Sequence, residues 1–110
     1  MKDGALYEWD FKPWFPRPDI LKVVLEEFRC DITELRSKSR LLILVDARTI
    51  YCHLVKKYST ATTIILGSEL DRDHTAISHF WGRMEDRIYS KDPLIERLKT
   101  IENKLLTKQL

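Results

Sequence analysis

A chain of 110 residues with 44% hydrophobic content can bury one modest core and is too short for two domains. Its longest aliphatic run, residues 41–45 (LLILV), is far too short to cross a bilayer, and no basic stretch followed by a long apolar one opens the chain, so a cytoplasmic protein without a membrane partner is expected. A net charge of +2 excludes a globally basic polyanion binder, so any nucleic-acid footprint must be local. Cys30 and Cys52 read as buried, reduced thiols, since nothing in the sequence indicates secretion.

Residues 1–18 form an arm in which Tyr7, Trp9, Phe11, Trp14 and Phe15 lie among Pro13, Pro16 and Pro18. The prolines forbid a continuous helix, and the aromatic rings call for cover, either on the domain itself, the preferred reading, or on a protein partner. Residues 19–110 make up the domain. Pro18 and Asp19 open a helix whose inner face is Ile20, Leu21, Val24, Leu25 and Phe28. Asp31 with Glu34 three positions on has the spacing of a capping box, starting a very short helix with Ile32 and Leu35 inward.

Residues 36–40 are basic with serine spacers and contain no acid, which suits phosphates or a narrow minor groove. Residues 41–45 and 62–66 (TTIIL) have strand propensity, but two short runs make a marginal sheet. The first is therefore expected to be a buried connection and the second a short helix capped by Thr60 or Thr62. Between them Ala47, Ile50, Tyr51, Leu54, Val55 and Tyr58 recur at helical spacing, with Arg48, Cys52 and Lys56 together on another face. From position 36 to 57 there are six basic residues against one acidic, Asp46, and this is the local footprint that the net charge conceals.

Residues 71–81 read DRDHTAISHFW. Ile77, Phe80, Trp81, Met84 and Ile88 mark a buried stripe, so a helix starts near Asp73, whose carboxylate is placed to cap it. His74 and Thr75 then stand in an exposed first turn, where the second helix of a helix-turn-helix presents donors and acceptors to base edges. Thr75, Ser78, His79 and Arg83 lie off the apolar stripe, and Glu85 and Asp86 would repel phosphate from the far end. Asp92 and Pro93 open a last helix with Leu94, Leu98, Ile101 and Leu105 at 4-3-4 spacing, which suits docking on the domain.

Enzymatic readings are weak. Glu69, Asp71, Asp73 and His74 resemble a set of hard-metal ligands only loosely, because Asp73 is accounted for as a cap and Arg72 sits among the acids. Cys52 and His53 are adjacent on one helix and project about 100° apart, so they cannot pair as nucleophile and base. No glycine-rich phosphate loop is present, and no cofactor is expected.

Arg72, Asp73, His74, Thr75 and His79 match the motif Gly-Gly-Arg-Asp-His-Thr-Thr-Val-x-His of domain IV, the DNA-binding domain of the bacterial replication initiator DnaA. Ala76 replaces the second Thr, Ile77 the Val, and Asp71 stands where a Gly would be. The resemblance implies an all-α, TrpR-like helix-turn-helix domain of about five to six helices with double-stranded DNA as partner. It also implies roles for particular residues. Arg40, with Lys38 beside it, would enter the minor groove; Arg48, Lys56 and Arg72 would hold the backbone or groove edge; Asp73, His74 and Thr75 would read bases. Thr49 stands where the family usually has Gln, and residues 41–45 are aliphatic where the family often continues basic. Such a domain, without the nucleotide-binding part of DnaA, is expected to serve a regulatory or replication-accessory role. The alternative is a descendant of the same fold that has lost tight DNA binding and serves as a protein-interaction module.

Overall fold

A computed structural model describes residues 13–108. Among these there are six helices and no strand: α1 (Arg17–Phe28), α2 (Ile32–Arg36), α3 (Leu42–Tyr58), α4 (Thr63–Leu70), α5 (His74–Tyr89) and α6 (Leu94–Lys108). The long α3 is the centre of the packing, with both α1 and α5 laid against it. Helix α6 lies mainly on α1, α4 on α5, and the short α2 bridges α3 and α4.

The local chemistry explains most helix ends. Helix α1 begins at Arg17, two residues before Asp19, because Pro16 takes the cap position and Pro18 fits the first turn, where no intrahelical N–H is needed. Helix α2 has both arms of its capping box, Glu34 N to Asp31 Oδ1 at 2.8 Å and Asp31 N to Glu34 Oε1 at 3.0 Å. Thr62 Oγ1 accepts from Ile65 N at 3.1 Å and starts α4, and Asp92 Oδ1 accepts from Leu94 N at 2.8 Å at the head of α6. Arg29, Asp71 and Lys91 close α1, α4 and α5 in the left-handed region, at φ 54°, 55° and 58°. After each, the following N–H reaches back to a carbonyl five residues earlier, the wrapped ending that usually employs glycine.

The core stripe of α3 is as its spacing predicts, with Ala47, Ile50, Tyr51, Leu54, Val55 and Tyr58 all buried. Leu94, Leu98, Ile101 and Leu105 of α6 are buried too, on the domain's own core. The stripe of α5 ends earlier than expected: Ile77, Phe80 and Met84 are buried and Trp81 partly so, but Ile88 is 40% exposed. Trp81 Nε1 donates to the Cys52 carbonyl at 2.8 Å, tying α5 to α3. Cys52 is fully buried rather than on a polar face with Lys56, and burial pushes its thiol pKa up; Cys30 is half-buried, and both are free.

From the arm, Phe15 is buried against Tyr58, with ring centroids 5.2 Å apart and its N–H donating to the Tyr58 carbonyl at 2.8 Å. Tyr7, Trp9 and Phe11 lie outside the described residues.

The expectation for residues 41–45 is corrected. Leu41 is the N-cap of α3 and residues 42–45 form its first turn; Leu41, Leu42 and Ile43 are exposed, with only Leu44 buried. Helical continuity with the strong stripe that follows overrides their β propensity.

Half-buried His53, farther along α3, gives a pH dependence. Burial lowers its pKa below the ordinary 6.5, and the nearby Lys57 lowers it further. The unfolded chain therefore takes up the proton first as pH falls, so stability is full above about pH 6.5 and declines below it, through the folded pKa. His53→Gln is expected to flatten the decline that sets in as pH falls below about 6.5, in urea melts across pH. An unchanged slope would assign it to other groups.

Candidate nucleic-acid interface

Helix α4, the three residues 71–73 and α5 form a helix-turn-helix. The turn folds back on α4 so closely that a Cβ on Gly67 would lie 2.5 Å from the Arg72 carbonyl oxygen, and Gly67 O accepts from Arg72 N at 2.7 Å. The scarce glycine is therefore used for this approach, and Asp71 takes the left-handed position.

The basic loop 36–40 is bound to the turn and to α3 by side chains that donate to its carbonyls. Arg48 Nε donates to Leu35 O at 2.7 Å, Nη1 to Ser39 O at 2.9 Å, and Nη2 to Ser37 O at 2.9 Å and Glu34 O at 3.3 Å. From the turn, Arg72 Nη2 donates to the same Ser37 O at 2.6 Å, and Nη1 reaches Leu70 O at 3.0 Å and Arg36 O at 3.2 Å. In the other direction Arg36 Nε donates to Glu69 O at 2.7 Å and Lys38 Nζ to Asp71 O at 3.1 Å. These bonds satisfy carbonyls left over at the ends of α2 and α4.

Arg48 therefore does not stand on the surface, where a DNA contact was expected. It is 2% exposed, and burial, then the positive charge of Arg72, pull its pKa down. Arg72 is likewise turned to carbonyls. Sequence spacing put Arg48 off the apolar stripe of α3 correctly, but nothing in that spacing shows the loop that covers it.

Between the loop and α5 lies a cleft of about 480 Å³ lined by Lys38, Ser39, Arg40, Val45, Arg48, Arg72, Ala76, His79, Phe80 and Arg83. It contains no acidic residue. Lys38 and Arg40 are exposed on the loop side, and His79 and Arg83 on the helix side. His79, which the sequence sets off the apolar stripe, is exposed. Arg83, set off the apolar stripe by the sequence but given no role there, lines the cleft; Arg72, Ala76, His79 and Arg83 follow one another at intervals of four, three and four.

His74 and Thr75 are exposed in the first turn of α5, as its start near Asp73 implies. Asp73 occupies the cap position without making a side-chain cap bond; its Oδ1 lies 3.7 Å from His74 Nε2 instead. On the outer face, Thr75, Ser78, His79, Gly82, Arg83 and Asp86 border a shallower depression. Lys56 is not brought to the cleft. Its ammonium lies 4.9 Å from the centre of the Trp81 ring, in a separate hollow with His53, Lys57 and Glu85. The acids near the turn do not converge: Glu69 accepts from the Tyr51 hydroxyl and pairs with Arg17 at 3.7 Å, while Asp71 lies 3.8 Å from Lys38.

The family model of the bacterial dnaA protein helix-turn-helix matches residues 18–83, which include the loop, the turn and the start of α5. The chain belongs to this DnaA helix-turn-helix family. The chromosomal replication initiator protein DnaA of Campylobacter curvus (strain 525.92) is 30% identical over 91 residues, which are 82% of this chain and 21% of the relative. Its counterpart in Campylobacter concisus (strain 13826) is 30% identical over 90 residues, 81% of this chain and 21% of the relative. That of Nautilia profundicola is 27% identical over 92 residues, 83% and 21%. The chain thus spans about a fifth of the length of these DnaA proteins. Membership in this DnaA helix-turn-helix family implies DNA binding. Among the described residues no helix is long and apolar enough to cross a membrane.

Proposed function

We propose that this DnaA-type domain binds duplex DNA with a preference for a DnaA-box-like sequence, in a regulatory or replication-accessory role that needs no catalysis by the domain itself. The observation that carries the reading is the acid-free cleft between the basic loop and α5. Its two walls carry exposed cations, and the first turn of α5 presents His74 and Thr75 beside it. Helices α3 and α5, which open at this face, both begin without a side-chain cap, leaving first-turn N–H groups available to phosphate oxygens.

In this reading Arg40 enters the minor groove with Lys38 at its edge, and Asp73, His74 and Thr75 face the bases of the adjacent major groove. Arg83 extends the cationic wall along the backbone, with His79 beside it. Arg48 and Arg72 contribute by holding the loop in place, and Lys56 lies outside the contact.

Fluorescence anisotropy with a DnaA-box duplex and a scrambled control across a salt series tests this. Arg40→Ala is expected to weaken binding to both duplexes and lower the salt slope by about one. His74→Ala is expected to remove roughly 1–3 kcal/mol of discrimination and leave the slope unchanged. Equal, salt-sensitive binding to both duplexes would discard the sequence preference. No binding at low salt would overturn the reading and favour a protein-interaction module.

A further inference from the structure

Leu41 and Leu42 are 65% and 68% exposed at the start of α3. Leu41 is the N-cap of α3 and Leu42 its first residue, three before Val45, so Leu42 shares Val45's face and the pair joins that face to the loop. Val45 and Arg40 both line the basic cleft, and Arg40 immediately precedes Leu41. The two leucines are not among the cleft's lining residues; they stand as an exposed apolar rim in the chain between two residues that are, Arg40 and Val45. Ile43 belongs to another side, preceding by three residues Asp46, which accepts from Arg87 of α5 at 2.7 Å.

We propose that Leu41 and Leu42 act as a wedge that enters the minor groove beside Arg40, parts a base step and bends the duplex. The inference rests on the DNA-binding reading above and adds a deformation to it. Side chains that kink DNA from the minor groove are apolar, stand next to a cation, and partly unstack one step, giving bends of about 20–90°. The rim has these properties: two adjacent leucines, Arg40 before them, and Lys38 within the same loop. Its continuity in the chain with an acid-free cleft selects a polyanion over an apolar protein groove. Bending at this point would favour sites with a flexible pyrimidine–purine step under the wedge, adding preference at positions that no polar side chain touches.

The test uses the 110-residue protein with DnaA-box duplexes labelled at both ends for energy transfer, and with 2-aminopurine placed at successive positions along the site. Anisotropy on the same samples reports binding. Wild-type protein is expected to shorten the end-to-end distance and to brighten 2-aminopurine at one step. Leu41→Gln with Leu42→Gln is expected to bind with the same salt slope while losing both signals, and Leu41→Met with Leu42→Met to retain them. An unchanged thermal melt shows that the variants are folded. Bound wild-type protein without bending or brightening would overturn the wedge and leave DNA binding standing, as would a glutamine variant that bends DNA like wild type. Absence of any anisotropy change would instead mark failure of the DNA reading itself. Sedimentation with phosphatidylglycerol vesicles is the last arm. Vesicle binding that depends on the leucines, with unaltered DNA bending, would overturn the wedge in favour of a lipid surface.

Discussion

Replacing Arg48 by alanine is expected to unfold the domain at markedly lower temperature, because the guanidinium is buried and donates to four carbonyls at once. Ser37 O would keep Arg72, but Glu34 O, Leu35 O and Ser39 O would lose this donor. With some carbonyls rehydrated by the opened loop, the loss should be about 2–4 kcal/mol. For a domain of this size that lowers the melting temperature by roughly 15 °C. Arg48→Lys should recover only part, since an ammonium cannot span the fork of acceptors. An arginine exposed for DNA contact would behave differently. Its removal would change the melt by less than about 0.5 kcal/mol and take about one unit from the salt slope. Urea and thermal melts set beside the salt series separate the two, and an unshifted melt for Arg48→Ala would refute the buried role.

The second large effect is expected at Gly67. A methyl there would stand 2.5 Å from the Arg72 carbonyl oxygen and 3.5 Å from His74 N, so the turn must move outward. Backbone cannot rotate aside as a long side chain does, and the expected cost of Gly67→Ala is roughly 1–3 kcal/mol. The displacement would pass to Arg72 and to the first turn of α5, so discrimination between duplexes should fall along with stability. Gly82→Ala supplies the control. It is also helical, but a Cβ there meets nothing within 4 Å, and the substitution should stabilise by about 0.5–1 kcal/mol. Opposite shifts in urea midpoint for one substitution in two helices would establish the close approach; a shift of the same sign would dismiss it.

Periodicity was a good guide where a helix has one dry face. The stripes of α3 and α6 and the start of α5 could be read directly, and the capping box at Asp31 and Glu34 follows from two residue types at one spacing. The family motif around Arg72 to His79 then made the helix-turn-helix legible. Residues 41–45 misled because composition does not tell an apolar turn that is buried from one left at a rim. Arg48 misled for a related reason: its place on the helix was readable, but the carbonyls that surround it come from a loop with no periodic pattern. Arg83 and His79 become recognisable as part of the cleft only when that loop is seen on the opposite wall.

The carbonyl oxygen of Ser37 receives one guanidinium from α3 and another from the turn before α5. The loop and the first turn of α5 are thereby fastened to a common pin, and neither can slide along a duplex without the other. For a ligand that meets Arg40 in one groove and His74 in the next, the domain is a caliper with fixed jaws. With the contacts proposed above, it would measure the separation between its two points of contact as well as the bases found there. Inserting a single base pair between those points should therefore cost more than mispairing at either one.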